Sequence, residues 1–100
     1  MKTWLIRIIP PRPTFHQDAT VPEQDQMNAH SLYWKDLFDR GVCLFGGPVF
    51  DPGGVYGLLA IATENEAEAR ALAEADPSVT SRLNRVEVAE MNAVFLNKTS

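Results

Sequence analysis

Between Trp4 and Ile9 the chain runs Trp-Leu-Ile-Arg-Ile-Ile, apolar and rich in β-branched residues, and then meets Pro10-Pro11-Arg12-Pro13. That composition predicts a first strand followed by an extended, proline-stiffened loop. From Val21-Pro22-Glu23 the spacing changes: Met27, His30, Trp34 and Leu37 recur at steps of three and four, and Gly41 is a natural stop. A first helix is predicted there. Val42 to Phe45 is a short apolar run ended by Gly46-Gly47-Pro48, and Gly54 to Ala62 is a second one after Asp51-Pro52-Gly53-Gly54. The two runs predict a hairpin, with Gly46-Gly47-Pro48 as a turn at the end of a strand. Thr63-Glu64-Asn65-Glu66 has the form of a capping box, and the alanine-rich segment to Ala75 favours a second helix that Asp76-Pro77 closes. After a turn from Pro77 to Leu83, Val86, Val88, Val94 and Phe95 predict a last strand from Arg85 to Phe95, bent around Asn92.

The predicted order βαββαβ specifies an α+β, ferredoxin-like fold, in which a four-stranded antiparallel sheet carries both helices on one face. A half-exposed sheet alternates apolar and polar residues. Val42-Cys43-Leu44-Phe45 and Leu58-Leu59-Ala60-Ile61-Ala62 are instead apolar at both parities, the pattern of strands buried on two sides. Helices cover only one of those sides. A homodimer packed through the sheet face supplies the other cover, since two-fold pairs are the commonest homo-oligomers.

Composition narrows the functional classes. A length of 100 residues with 45% hydrophobic side chains predicts a single domain over residues 1–100. The net charge of −4 argues against a nucleic-acid partner, which would draw on clustered Lys and Arg. Cys43 is the lone cysteine and sits in an apolar run, so it reads as a core residue in a reducing compartment. The apolar stretch at the N-terminus is interrupted by Arg7 and closed by prolines, too short for a signal core or a membrane span. The expected location is the cytoplasm, with no membrane association.

Candidate chemistry centres on His30. It shares a helical face with Met27, Trp34 and Leu37, which directs it towards the sheet, and its side chain suits acid–base work near neutral pH. Asp36, six positions on, lies about 240° around the helix at roughly 100° per residue and is a poor partner. Asp76, held at an element end by Pro77, is better placed. The same residues also fit a core-edge histidine bonded to a backbone carbonyl and an Asp76 that merely caps the following turn. Tyr33 and Trp34 offer an aromatic wall for a ring or, equally, core packing. Gly47-Pro48 would bring backbone close to a ligand, although no GxGxxG or GxxxxGK phosphate loop is present. Arg7 suits either a carboxylate-bearing ligand or a salt bridge at an edge or interface. His16 has no second histidine or cysteine at metal-ligand spacing, so no metal site is expected. The glutamates of the second helix read as a solvated face.

Taken together, His30-Ser31-Leu32-Tyr33-Trp34, Gly41, Gly47-Pro48, Asp51, Gly54, Gly57, Glu66-Ala67, Ala69 and Asp76-Pro77, with the opening Pro10-Pro11-Arg12-Pro13-Thr14-Phe15 loop, resemble the YCII-related family in order and spacing over nearly the whole chain. The resemblance implies a dimeric α+β barrel built from ferredoxin-like protomers. It also implies a His and Asp pair in a pocket, carried here by His30 and Asp76. Related barrels include muconolactone isomerases and a dehydrochlorinase of chlorinated hydroxyquinols, which implies a small, cyclic, oxygenated ligand. The chain departs from the family pattern at Ser81, where glycine is common, so the adjoining pocket edge is expected to differ. Two functions follow from these readings. One is a cofactor-independent enzyme of isomerase or lyase type, with Tyr33, Trp34, Gly47, Pro48 and Arg7 around the ligand. The other is a non-catalytic dimer that binds or senses a small molecule, in which His30 only hydrogen-bonds it.

Overall fold

A computed structural model describes residues 1–97. The apolar run at the N-terminus forms β1 (Lys2–Ile9), which lies inside the sheet between β3 (Gly54–Thr63) and β4 (Arg85–Met91), antiparallel to both. β2 (Cys43–Asp51) pairs only with β3, so the order is β2-β3-β1-β4 with β2 and β4 at the edges. The two long helices, α2 (Val21–Asp39) and α3 (Glu66–Glu74), pack on one face of the sheet. Two single-turn helices, α1 (Phe15–Asp18) and α4 (Pro77–Thr80), interrupt the segments that the sequence predicts as loop and turn. The architecture is the expected α+β, ferredoxin-like one.

Alternation along the central strand fixes what the helices cover. Trp4, Ile6 and Ile8 point to the helical face, where they meet Leu59 and Ile61 of β3, Trp34 and Leu37 of α2, and Ala69 and Ala73 of α3. Ile6 and Ile61 are wholly buried. α3 meets the sheet through the small, fully buried Ala69 and Ala73, whereas α2 contributes the bulky Trp34 and Leu37 to the same core.

Local sequence sets the helix ends. Thr20 begins α2 through a capping box, its Oγ1 accepting from the Glu23 N–H at 3.3 Å while the Glu23 carboxylate accepts from the Thr20 N–H at 2.8 Å. Gly41, with φ of +80°, ends the helix in the left-handed region that glycine tolerates best. The cap of α3 is Asn65 rather than Thr63: the Asn65 side chain accepts from the Glu68 N–H at 2.9 Å. Thr63 is spent as the last residue of β3 and donates its hydroxyl to the Asn65 carbonyl. Asp76 takes an extended conformation before Pro77 and caps α4.

Two further expectations change. Gly46-Gly47-Pro48 is no strand-end turn but the middle of β2, whose ladder continues to Asp51. An edge strand accommodates Pro48 because its missing N–H need not serve a ladder bond. β4 stops at Met91 instead of reaching Phe95, and Val94 and Phe95 are exposed. The second sheet face is bare of helices among the described residues: by the register of the strands it carries Leu5, Arg7, Phe45, Leu58, Ala60 and Glu87, with Phe45 half exposed and Ala60 buried. Among the described residues no helix is long and apolar enough to cross a membrane.

Candidate functional site

Helix α2 and the start of α4 bring together two residues 46 positions apart. His30 projects from the sheet-facing side of α2, and Asp76 sits at the cap of α4 with its side chain fully withdrawn from solvent. Oδ2 of Asp76 lies 2.5 Å from Nδ1 of His30 and also accepts from Nε1–H of Trp34 at 2.7 Å. Oδ1 accepts from the Ser78 N–H at 2.8 Å and from the Ser78 hydroxyl at 2.9 Å. The carboxylate is thus met on both oxygens, which is the condition under which a buried anion is tolerated. Burial alone would raise the Asp76 pKa, but the hydrogen bonds from His30, Trp34 and the Ser78 backbone outweigh it and hold the carboxyl below its ordinary range.

A second layer fixes Ser78. Its hydroxyl, having donated to Asp76, accepts from Nδ2 of Asn84 at 3.0 Å, and the same Nδ2 lies 3.3 Å from the Met27 sulfur. Asn84 precedes β4 and is almost fully buried, with its Oδ1 unpartnered among the described residues. Helix cap, turn and strand start are thereby tied to one carboxylate.

The tautomer of His30 follows from this arrangement. An ionised Asp76 requires a proton on Nδ1, so in the neutral ring the lone pair sits on Nε2, which is the ring's open position. No protein partner for Nε2 is present among the described residues, and His30 lines a cavity of about 460 Å³. Its walls come from Phe15 and His16 of α1, Met27 and Trp34 of α2, and Ile8, Pro48, Gly57 and Leu59 of the sheet. Glycine keeps the sheet floor flat, since a Cβ at Gly57 would stand 3.2 Å from Cβ of Ile8. Among the described residues, no three His, Cys, Asp or Glu side chains gather to hold a metal ion.

A family model for the YCII-related domain matches residues 5–92. The chain belongs to the YCII-related family. No curated protein matches this YCII-related chain in sequence. Among solved structures it is similar to a 5-chloro-2-hydroxyhydroquinone dehydrochlorinase from Burkholderia phenoliruptrix, in complex with 2,5-dihydroxybenzoquinone, at 19% identity and a TM-score of 0.69. The likeness covers 90% of this chain and 93% of that one, and it shows a shared fold.

Of the residues singled out in this YCII-related sequence, His30, Trp34, Gly47 and Pro48 line the cavity, and Asp76 stands behind His30. Tyr33 does not belong to the cavity wall. It lies one step around α2 from Trp34, and its hydroxyl donates to the Leu72 carbonyl at 2.5 Å, fastening α2 to α3. Arg7 is also removed from the site, because its parity in β1 is opposite to that of Ile8. It lies on the bare face, 3.9 Å from Glu87 and 4.2 Å from the ring centre of Tyr56. Asp36 pairs with Arg40 on the exposed side of α2. Ser81 takes an ordinary helical conformation and bonds to Gln26, and the left-handed residue of that turn is Arg82, with φ of +66°. Ser78 and Asn84 were not predicted, nor was the cavity role of Phe15 and His16. The Asp-Pro-Ser order is a recognisable helix start and carries a signal for Ser78. Nothing local in the sequence marks Asn84.

Proposed function

We propose that this chain is an acid–base enzyme of isomerase or lyase type, acting on a small cyclic oxygenated molecule, with His30 as the proton carrier and Asp76 as the residue that orients it. The observation that carries the reading is the division of labour on one imidazole: Nδ1 is held by a buried carboxylate while Nε2 stands at a cavity wall. A positioned base of this kind accelerates proton transfer by about 10²- to 10⁴-fold. Proton transfer is within the reach of an imidazole alone, so the reading needs no cofactor. Trp34 and Pro48 would flank the ring, and Gly47 and Gly57 would let the backbone approach it.

The fold shared with the dehydrochlorinase makes loss of HCl from 5-chloro-2-hydroxyhydroquinone a first reaction to try. In that elimination a proton passes to the base and chloride leaves with the bonding pair. Chloride release would be followed with the wild type, His30→Gln and Asp76→Asn, each checked for folding by circular dichroism. A rate dependent on enzyme, reduced at least 100-fold in both variants, is the expected outcome. Binding of the compound with no release in any form would favour the non-catalytic binding module.

We infer further that the working unit is a homodimer closed through the bare sheet face, because that face carries Leu5, Phe45 and Leu58 and, among the described residues, a single Arg7–Glu87 pair. Light scattering should give twice the 11.1 kDa of the chain. Leu5→Glu, at the centre of the face, should return it to one.

A further inference from the structure

The cavity has an electrostatic character that its apolar walls conceal. Among the described residues lining it, the polar ones are His16, His30, Ser31, Tyr56 and Asn84, and none is Lys, Arg, Asp or Glu. Arg7 and Arg12 are committed elsewhere, Arg7 to Glu87 on the other sheet face and Arg12 to Asp18 and Glu23. The full charge closest to His30 is negative. It is the Asp76 carboxylate, with no exposed surface and in contact with Nδ1.

Consider two ways of bringing an acidic ligand to Nε2. A carboxylate or phosphate arrives already ionised. It loses its hydration and faces a buried carboxylate across one imidazole ring, with no cation on the wall to meet it. His16 gives little relief, because it stands exposed, where water and salt screen electrostatic interactions. A hydroxyl conjugated to a ring arrives neutral. Its O–H bond then breaks, an N–H bond forms on Nε2, and the electron pair stays on the ligand oxygen. The new anion is created beside an imidazolium that already faces Asp76, and the net charge of the site is unchanged by the step.

We propose that the cavity selects flat rings whose only ionisable groups are phenolic or enolic hydroxyls, bound through Nε2 of His30, and that it rejects rings bearing a carboxylate or phosphate. The proposal rests on the reading of His30 as a base and adds the ligand class. Shape agrees with charge: Phe15, Trp34 and Pro48 with the glycine floor at Gly57 leave about 460 Å³, room for a small ring.

The test compares three probes by isothermal titration under argon: hydroquinone, 2,5-dihydroxybenzoate, which adds one carboxylate, and 1,4-dimethoxybenzene, which lacks the O–H. Hydroquinone should bind at least 10-fold more tightly than either of the others. Val55→Lys, which places a cation on the wall where the end of β3 can bear it, should narrow the gap between hydroquinone and 2,5-dihydroxybenzoate at least 3-fold. Equal or tighter binding of 2,5-dihydroxybenzoate by the wild type overturns the charge selection. Equal binding of 1,4-dimethoxybenzene overturns the hydroxyl requirement, and failure of hydroquinone to bind overturns both. An unchanged gap in Val55→Lys counts against the electrostatic cause. These constants need no turnover, so the ligand class and the catalytic reading fail separately: the latter is judged by chloride release in His30→Gln.

Discussion

Two clusters in this protein hold carboxylates below their ordinary pKa, and they do so by different physics. Around Arg12, Nε lies 2.7 Å from Asp18 and the terminal nitrogens reach Glu23 at 2.8 and 2.9 Å, all near the surface. Hydrogen bonds from Arg12 and the Thr20 backbone bring the Glu23 pKa down to about 2. Burial opposes the charge in both clusters, but around Asp76 it is the largest influence, and His30, Trp34 and Ser78 must overcome it. The first cluster is a fastening, joining the Pro10–Thr14 loop and α1 to the start of α2. The second is a device with one open position, since only there does a titratable partner face a cavity. A depressed carboxylate pKa therefore marks a candidate site where desolvation is the foremost influence opposing it.

The contrast predicts unequal damage. Removing the buried carboxylate with Asp76→Ala strands four donors, namely Nδ1 of His30, Nε1 of Trp34, and the N–H and hydroxyl of Ser78. Breaking a buried pair this way costs about 3–5 kcal/mol. Urea unfolding should show it, and a loss below about 1 kcal/mol would mean that the cluster can rearrange around water. Ser78→Ala and Asn84→Ala should each cost about 1–3 kcal/mol, because each leaves one neighbouring group unsatisfied. Measured as a double-mutant cycle the two should be strongly non-additive, since Asn84 acts on Asp76 only through the Ser78 hydroxyl. Additive losses would dissolve the relay.

How much of this was legible beforehand depended on the range of the interaction. The strand runs were readable because apolar density along β1 and β3 is local information, and α2 was readable from its spacing. His30 and Asp76 were each visible as residues, but their meeting is a product of the fold. Tyr33 and Trp34 look equivalent in sequence. They lie about 100° apart on the helix, so only one of them faces the cavity. Gly46-Gly47-Pro48 misled because such a triplet is common in turns, whereas here the edge position excuses Pro48 and packing demands Gly46: a Cβ there would stand 2.6 Å from Cδ2 of Leu59. Phe15 was hidden in a polar loop, and Asn84 reaches Met27 across 57 positions.

Acid separates the clusters once salt is added. Both Asp76 and Glu23 have folded pKa values below their unfolded ones, so each stabilises fully above the ordinary carboxylate range and loses that contribution as pH falls through the folded value. Unfolding free energy should therefore decline from about pH 5 towards pH 2. In 1 M salt, with a Debye length of about 3 Å, exposed pairs are screened far more than buried ones. The acid slope that persists there should disappear in Asp76→Asn and survive in Glu23→Gln. The opposite pattern would show that the surface cluster, not the buried one, governs acid stability.

The smallest effect belongs to Arg12→Gln. Its pair with Asp18 is accessible to solvent and its pair with Glu23 is part-buried, and pairs at or near the surface contribute little net stability. What the substitution should change is the local fastening: Arg12 also lies 5.3 Å from the ring centre of Phe15, and Phe15 and His16 form one wall of the cavity. Amide exchange over Phe15–Asp18 should quicken, hydroquinone affinity should fall by a few-fold, and both changes should shrink in 1 M salt because the wild-type pairs are weakened there too. A stability loss matching that of Ser78→Ala would contradict the division between a surface fastening and a buried device, since it would give the exposed pairs the weight of a desolvated cluster.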